Sequence, residues 1–280
     1  MTKKLIVTAL ASAFSVSAMA ADVTIGGDYV YGFISNNGTD TGEVDADINF
    51  VASEELANGM TVTADFNYND EGERDDGSSL KVSGAFGTLD LGDVASATDA
   101  IDDKMDWGYF LTTGVSNPDH SALYTLPAFV DGLSVHVSYA SPDGNPDDNA
   151  GGAGASFRYA ADFFSVGYGQ VEQRDGTEYA TTNGTVSFAG ATLGAEQLVK
   201  TSDAGVDTDY TVLGATYTVD SVTFALESSK EESAGTVASE LMTYGAHYAV
   251  GGGLTAFAEY QEDDTDSNNT STAVGLAYTF

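Results

Sequence analysis

The stretch that decides the fold is residues 271–280, which read STAVGLAYTF. From residue 274 onward every second side chain is apolar, namely Val274, Leu276, Tyr278 and Phe280, and small or polar ones lie between them. This period of two is typical of a β-strand with one apolar face. The last residues of a soluble domain usually fray in water. An apolar face kept up to the final residue therefore predicts a strand that belongs to a larger sheet.

The same alternation recurs along the chain. In residues 60–68, Met60, Val62, Ala64, Phe66 and Tyr68 alternate with threonine, aspartate and asparagine. We place sixteen strands near residues 22–35, 43–53, 60–69, 78–86, 88–93, 120–127, 132–140, 151–160, 163–172, 178–188, 191–200, 206–219, 222–230, 238–249, 253–261 and 271–280. Connections after even-numbered strands are short, and those after odd-numbered strands are longer and polar. This pattern predicts an all-β, closed antiparallel up-and-down transmembrane β-barrel.

The start of the chain indicates export. Lys3 and Lys4 precede an apolar run that ends in Ala18-Met19-Ala20, the small-x-small pattern of a secretory signal peptide. We therefore expect residues 1–20 to be a signal peptide and 21–280 to form the barrel. The alternative is an uncleaved membrane anchor, which the short apolar core and the cleavage pattern disfavour. After the leader no run of 18 apolar residues occurs, which excludes a transmembrane helix.

Composition excludes several functions. The chain has 43 acidic and 9 basic residues, a formal net charge of −34, so nucleic acid is not an expected partner. It contains no cysteine, which removes disulfides, thiolate nucleophiles and zinc–thiolate sites. The absence of cysteine also suits a chain that passes through an oxidising compartment.

Several segments in order resemble the general porins of the Gram-negative outer membrane. They are the signal peptide, EELANGMTVTADFNY at 54–68, GTLDLGDV at 87–94, YTLPAFVDGLSVHVSYA at 124–140 and AVGLAYTF at 273–280. The resemblance implies a homotrimer of sixteen-stranded barrels, each with a water-filled pore for ions and small hydrophilic solutes. It also implies that the third surface loop folds inward and narrows the pore.

The resemblance gives the C-terminal strand a further role. In such barrels the final strand, with a terminal phenylalanine and alternating apolar residues, is what the barrel assembly machinery reads. The matching positions here are Val274, Leu276, Tyr278 and Phe280. A merely lipid-facing strand needs the same alternation, and either interpretation places the chain in contact with outer-membrane lipid.

The longest connection, residues 95–119, is the candidate constriction loop. Loops of this length are usually functional or disordered. Its centre is too apolar for a solvated loop, so we predict that Met105, Trp107, Tyr109 and Phe110 anchor it inside the barrel wall. Its acids would then face the passage, namely Asp99, Asp102, Asp103 and Asp106. The alternative is an external flap packed on neighbouring loops or on another subunit.

Strand parity predicts the charges of the lumen. Lys81 and Arg158 lie between lipid-facing residues, so both should point inward. The same parity turns many acids inward: Asp28, Asp45, Asp47, Asp65, Asp90, Glu196, Glu227 and Glu259. This departs from the family, which usually sets a cluster of basic side chains against the acids of the loop. A ring of carboxylates repels anions and concentrates cations, which predicts a cation preference.

The sequence leaves three other function classes to consider: an enzyme, a surface protein with a blocked pore and a secreted soluble protein. Three histidines, His120, His136 and His247, and serines such as Ser134 and Ser138 leave a catalytic triad open by composition. The chain has no G-x-S-x-G, Walker or H-E-x-x-H motif, so we expect no enzyme, no catalytic residues and no cofactor. A surface adhesin or structural envelope protein with a blocked pore is the second hypothesis. A secreted soluble β-protein is the third.

The acidic surface loops raise the question of metal binding. Divalent cations could bridge their carboxylates to anionic lipid headgroups. Asp264, Asp266 and Asn268 have the opening spacing of a calcium loop. However, Asn269 takes the place of the turn glycine and Gly275 that of the bidentate glutamate, so we reject an EF-hand.

Overall fold

The computed structural model describes residues 21–73, 78–102, 107–111, 119–140, 152–265 and 269–280. The predicted signal peptide, the loop residues Asp103, Met105 and Asp106, and the loop residues Asp266 and Asn268 lie outside this part of the chain. Within it are sixteen strands: β1 (Asp22–Asn36), β2 (Thr39–Glu55), β3 (Thr61–Tyr68), β4 (Ser79–Gly84), β5 (Gly87–Ala95), β6 (Asp119–Thr125), β7 (Leu133–Ala140), β8 (Gly152–Ala160), β9 (Phe164–Gln173), β10 (Glu178–Phe188), β11 (Ala191–Thr201), β12 (Asp207–Val219), β13 (Val222–Ser233), β14 (Thr236–Gly251), β15 (Leu254–Asp263) and β16 (Thr270–Thr279).

The sheet closes on itself. Each strand pairs antiparallel with its neighbours in sequence, and β1 pairs with β16 from Asp28–Thr279 to Asn36–Ser271. Reciprocal backbone hydrogen bonds between Gly27 and Phe280 extend this closure seam by one more step. The prediction of a closed sixteen-stranded antiparallel barrel is confirmed. Closure removes both sheet edges, whose unpaired amides would each cost several kcal/mol in hydrocarbon.

Alternation of side chains gives the wall two different faces. Phe66 and Leu276 point outward and are 48% and 50% exposed, whereas Thr181 and Thr243 point inward and are fully buried. A soluble β-sandwich does the reverse, because it buries apolar side chains between its sheets. The wall is therefore suited to lipid outside and to a polar interior.

Two connections differ from the sequence prediction. The structure closes β1–β2 through Asn37-Gly38 and β13–β14 through Ala234-Gly235, where longer polar loops were predicted. The backbone φ angles are 52° and 78° in the first turn and 50° and 76° in the second. Positive φ at both central residues is the geometry of a type I′ hairpin turn, whose twist matches that of the strands. The polar residues assigned to loops belong to strands that continue past the apolar band.

Helical structure is minimal. In the described ranges it consists of one 3-10 turn, Asp99–Ile101, in the loop between β5 and β6. No helix in the described ranges is long and apolar enough to cross a membrane.

Candidate functional site

The first described part of the β5–β6 loop lies on the inner wall of β7 to β10. Asn183 donates from Nδ2 to the Ile101 carbonyl oxygen across 2.6 Å. Ala97 donates its backbone N–H to Ser138 Oγ across 2.8 Å. Ile101 is 1% exposed, and its Cδ1 lies over Gly169, where an added Cβ would be 3.3 Å away. This part of the loop is therefore inside the barrel.

The second described part, residues 107–111, lies on β14, β15, β16 and β1. The Tyr109 ring centroid is 4.7 Å from that of Phe257, and the Trp107 centroid is 5.4 Å from that of His247. Leu111 is buried in an apolar cluster with Val30, Ile34, Phe257, Ala273 and Ala277, against which Tyr109 and Phe110 pack. Trp107, Tyr109 and Phe110 thus contact the inner wall.

The two contact regions lie on opposite sides of the barrel. In the ring of sixteen strands β9 is eight strands from β1 in either direction. The loop contacts β9 at Ile101 and reaches β14 at Trp107. Both described parts of the loop therefore lie inside the barrel on different sides of the lumen, and the inward fold predicted for it is confirmed. An external flap does not fit the described residues.

Glu259 on β15 holds the second part of the loop. Its carboxylate accepts three consecutive backbone N–H groups, from Tyr109 to Oε1 at 2.7 Å and from Phe110 and Leu111 to Oε2 at 3.2 and 3.1 Å. His247 Nε2 lies 3.3 Å from Oε1. Hydrogen bonds to an ionised carboxylate are among the stronger ones in proteins. We call Glu259, His247 and the backbone of 109–111 the loop latch.

The latch changes what was expected of Glu259. The sequence prediction gave it an inward orientation and a place on the open pore wall. The inward orientation is present, but the side chain is 0% exposed because residues 109–111 cover it. In this structure Glu259 fixes the loop and does not line open water.

The other acids predicted to line the pore differ in exposure. All lie on the inner face by strand register. Asp45 is exposed. Four others are half-buried: Asp28, Asp47, Asp65 and Asp90. Glu196 and Glu227 are buried on the inner wall of β11 and β13. Of these predicted acids, the ones with solvent access therefore lie on β1, β2, β3 and β5, in one sector of the wall.

Basic side chains on the inner wall are few among the described residues. Lys81 Nζ lies 3.2 Å from Asp90 Oδ2, and Arg158 is half-buried on β8. Lys200 was not singled out from the sequence, yet it shares the inner face with Glu196 and its Nζ lies 5.6 Å from the Tyr179 ring centroid. Lys200 lies two positions after a leucine that points inward on the same strand, so strand parity alone could have predicted its inward orientation.

The predicted constriction acids are only partly described. Asp99 begins the 3-10 turn and is half-buried. Both carboxylate oxygens of Asp102 are shielded from solvent, which differs from the prediction that this acid faces the passage. Asp103 and Asp106 lie outside the described residues.

Two glycines form part of the wall surface on which the loop packs, and sequence reasoning did not identify them. A Cβ added to Gly32 would lie 2.6 Å from Phe110 Cε2, and one added to Gly245 would overlap the Trp107 ring. Both glycines occupy inward positions in the middle of strands. Glycine within a strand often marks a close approach of other groups. The sequence therefore indicated a close approach at these two positions, but not which residues approach them.

The residues of the catalytic hypothesis are dispersed. His120, His136 and His247 lie on β6, β7 and β14, and His136 Nδ1 is 3.0 Å from Thr125 Oγ1. The Ser138 hydroxyl accepts from the loop backbone. Across the described ranges, no three histidine, cysteine or acidic side chains come together as metal ligands.

The C-terminal strand presents its alternating residues to the outside. Large exposed apolar side chains there are Val274, Leu276, Tyr278 and Phe280. Their backbones pair with β1 on one side, and β15 pairs with the same strand on the other. The geometry suits contact with lipid, and recognition by assembly machinery stays a prediction.

Comparison with known proteins gives a family and a fold. The sequence profile of Gram-negative porins matches residues 7–269. A solved porin structure superposes with a TM-score of 0.76 at 18% identity, covering 92% of this chain and 100% of that one. A loop L8 deletion mutant of OmpT, an outer membrane protein of Vibrio cholerae, superposes with a TM-score of 0.75 at 17% identity, covering 94% of this chain and 100% of that one.

A triple mutant of the Rhodopseudomonas blastica porin gives a TM-score of 0.70 at 18% identity, covering 92% of this chain and 100% of that one. At these identities the structural matches support the barrel fold alone. No curated protein matches the chain.

Proposed function

The chain belongs to the Gram-negative porin family, and we propose that its outer-membrane channel passes ions and small hydrophilic solutes with a preference for cations. The barrel supplies the conduit, and the loop that crosses its lumen narrows it. We expect neither enzymatic activity nor a resident cofactor. Divalent cations bridging the acidic loops to lipid headgroups belong to the same proposal.

The observation that carries the cation preference is a pair of opposed carboxylates. Asp28 on β1 lies directly across from Asp47 on β2, and Asp45 is the next inward residue on β2. Like charges directly opposite each other destabilise a strand pair. Water and mobile cations reduce this repulsion, and a wall that attracts cations in this way repels anions.

The basic residues of the inner face offset little of this charge. Lys81 pairs with Asp90, so its field is largely cancelled locally. Arg158 and Lys200 lie on β8 and β11, away from the acidic sector on β1 to β5. The net field along that sector is therefore negative.

The reversal potential in a planar bilayer tests this proposal. Under a potassium chloride gradient the zero-current voltage should have the sign of cation selectivity. It should shrink as salt is raised, because the screening length falls from about 10 Å at 0.1 M to about 3 Å at 1 M. An anion-selective potential would contradict the proposal, and a folded barrel without conductance would support the blocked-pore adhesin.

Export and assembly complete the proposal. Residues 1–20 would be removed as a signal peptide, and the C-terminal strand would be read by the barrel assembly machinery. A homotrimer would bury the apolar outer faces beside the closure seam, where Tyr29, Tyr31 and Phe33 are exposed in the single chain. The molar mass of the detergent-extracted protein and conductance steps in multiples of three would test the trimer.

A further inference from the structure

We propose that the β5–β6 loop is an internal staple for the closure seam: it seats in a pocket that exists only when β1 and β16 are paired, and it then resists their separation. This inference concerns barrel closure and is independent of ion selectivity. It rests on the position of residues 107–111 against the inner face of the seam.

The pocket for the loop is built by both ends of the barrel. Val30 and Ile34 come from β1, Ala273 and Ala277 from β16, and all four are buried together with Leu111. Val30 pairs directly with Ala277, and Ile34 with Ala273. An open sheet would carry the two halves of this pocket at opposite edges. The complete pocket therefore forms only on closure.

In its middle the seam has no inward side chain of its own. Gly32 lies directly opposite Gly275, and alanines occupy the inward positions of β16 on either side. Glycine in a strand interior leaves no side chain to pack, and cross-strand side-chain pairs are the main source of sheet stabilisation. Phe257 of β15 lies over Gly275, and the ring of Phe110 lies over Gly32, so the loop supplies the apolar contact on the β1 side of this pair.

The latch ties the staple to a third strand. Glu259 lies directly across from Ala273 in the register of β15 and β16. Its carboxylate holds the backbone of residues 109–111, and the rings of Tyr109 and Phe110 pack on Phe257 of the same strand. The loop therefore bridges β15, β16 and β1, and separation of β1 from β16 would pull it from one side of its seat.

Hydrogen–deuterium exchange of the full-length folded protein in detergent tests the staple. Phe110→Ala should accelerate exchange of the seam amides in 28–36 and 271–279 by about tenfold or more, because their exchange requires local opening. Exchange in 191–201 of β11 should not change. Leu111→Ala removes another buried side chain from the same pocket and gives the same test if Phe110→Ala does not fold.

Ile101→Ala is the matched control. It removes a buried side chain from the same loop, but one that packs on β9. Its effect should be confined to β8, β9 and β10, with seam exchange unchanged. The proposal is overturned if the pocket variants leave seam exchange unchanged, or if Ile101→Ala accelerates it equally.

Discussion

Tyr109 donates its backbone N–H to Glu259 Oε1 across 2.7 Å, although 150 positions separate the two residues. The next two amides of the loop bond to the other oxygen of the same carboxylate. One side chain on β15 thereby fixes the path of the loop across the lumen. The position of the loop inside the barrel thus depends on a side chain that is itself fully buried.

Glu259→Gln should loosen the loop. Hydrogen bonds to a charged group contribute about 1.5–3 kcal/mol, and an amide offers one acceptor oxygen where the carboxylate offers two. Trp107 is the only tryptophan, so its emission reports the loop directly. We expect stronger quenching by acrylamide and noisier single-channel currents. Glu262→Gln, on the outer face of the same strand, should change neither, and an identical response of both variants would argue against the latch.

Gly245→Val should displace the aromatic anchor of the loop. Even a Cβ at this position would overlap the Trp107 ring, so the ring and the backbone behind it must move. We expect a shifted Trp107 emission spectrum and a changed single-channel conductance. The control is Gly42→Ala, in an open part of β2 where the nearest atom, Tyr31 Oη, would be 3.6 Å from the added Cβ. A wild-type spectrum and conductance for Gly245→Val would show that Trp107 does not occupy this seat.

Neutralising the opposed carboxylates should weaken cation preference. In water a unit charge about 8 Å from a passing cation contributes about 0.5 kcal/mol before screening, a factor of about two. Each charge favours the cation and disfavours the anion by this factor, so Asp28→Asn combined with Asp47→Asn should lower the cation-to-anion permeability ratio about sixteenfold at low salt. Reversal potentials measure this ratio. Glu172→Gln, which removes an acid from the outer face of β9, should leave it unchanged, and equal effects would place the selectivity elsewhere.

Asn37 should contribute to the stability of the seam through its backbone and its side chain. Its φ is 52°, its Nδ2 donates to Asn269 Oδ1, and its Oδ1 accepts the Thr270 N–H at 2.9 Å. Asn37→Gly keeps the backbone geometry and loses hydrogen bonds of about 0.5–1.5 kcal/mol each. Asn37→Ala loses the same hydrogen bonds and costs about 1–2 kcal/mol more, because the Cβ of alanine disfavours the left-handed backbone conformation at this position.

The order of unfolding temperatures in detergent should therefore be wild type, then glycine, then alanine. Asn58→Ala, in the turn between β2 and β3, measures the effect of losing an asparagine away from the seam. Equal unfolding temperatures for the two Asn37 variants would contradict the role of its backbone conformation.

The sequence allowed the wall to be predicted because the physical rule is local. Apolar residues must alternate with polar ones wherever one face meets lipid, and this placed Phe66, Asp65 and Leu276 on the correct faces. The rule fails where both faces of a strand meet water. Thr39 to Thr41 and Glu231 to Glu232 therefore looked like loops, although they belong to long strands closed by two-residue turns.

The site was less accessible to prediction. Parity turned Glu259 inward, and the apolar centre of the loop indicated burial, but nothing local joins Glu259 to Tyr109. Their contact depends on how far the loop travels across the lumen, which is a property of the closed barrel. The inward glycines Gly32 and Gly245 indicated that another group lies close to each of them, but the sequence did not show that these groups are loop side chains.

Cysteine modification during channel recording tests the central claim most directly, because the natural chain has no cysteine. Asp47→Cys faces the lumen, and Ala46→Cys, its neighbour on β2, faces outward. A cationic methanethiosulfonate reagent should reduce the current through Asp47→Cys in discrete steps and leave Ala46→Cys unchanged. Loss of current at Ala46→Cys with none at Asp47→Cys would contradict a barrel with an aqueous, anionic interior.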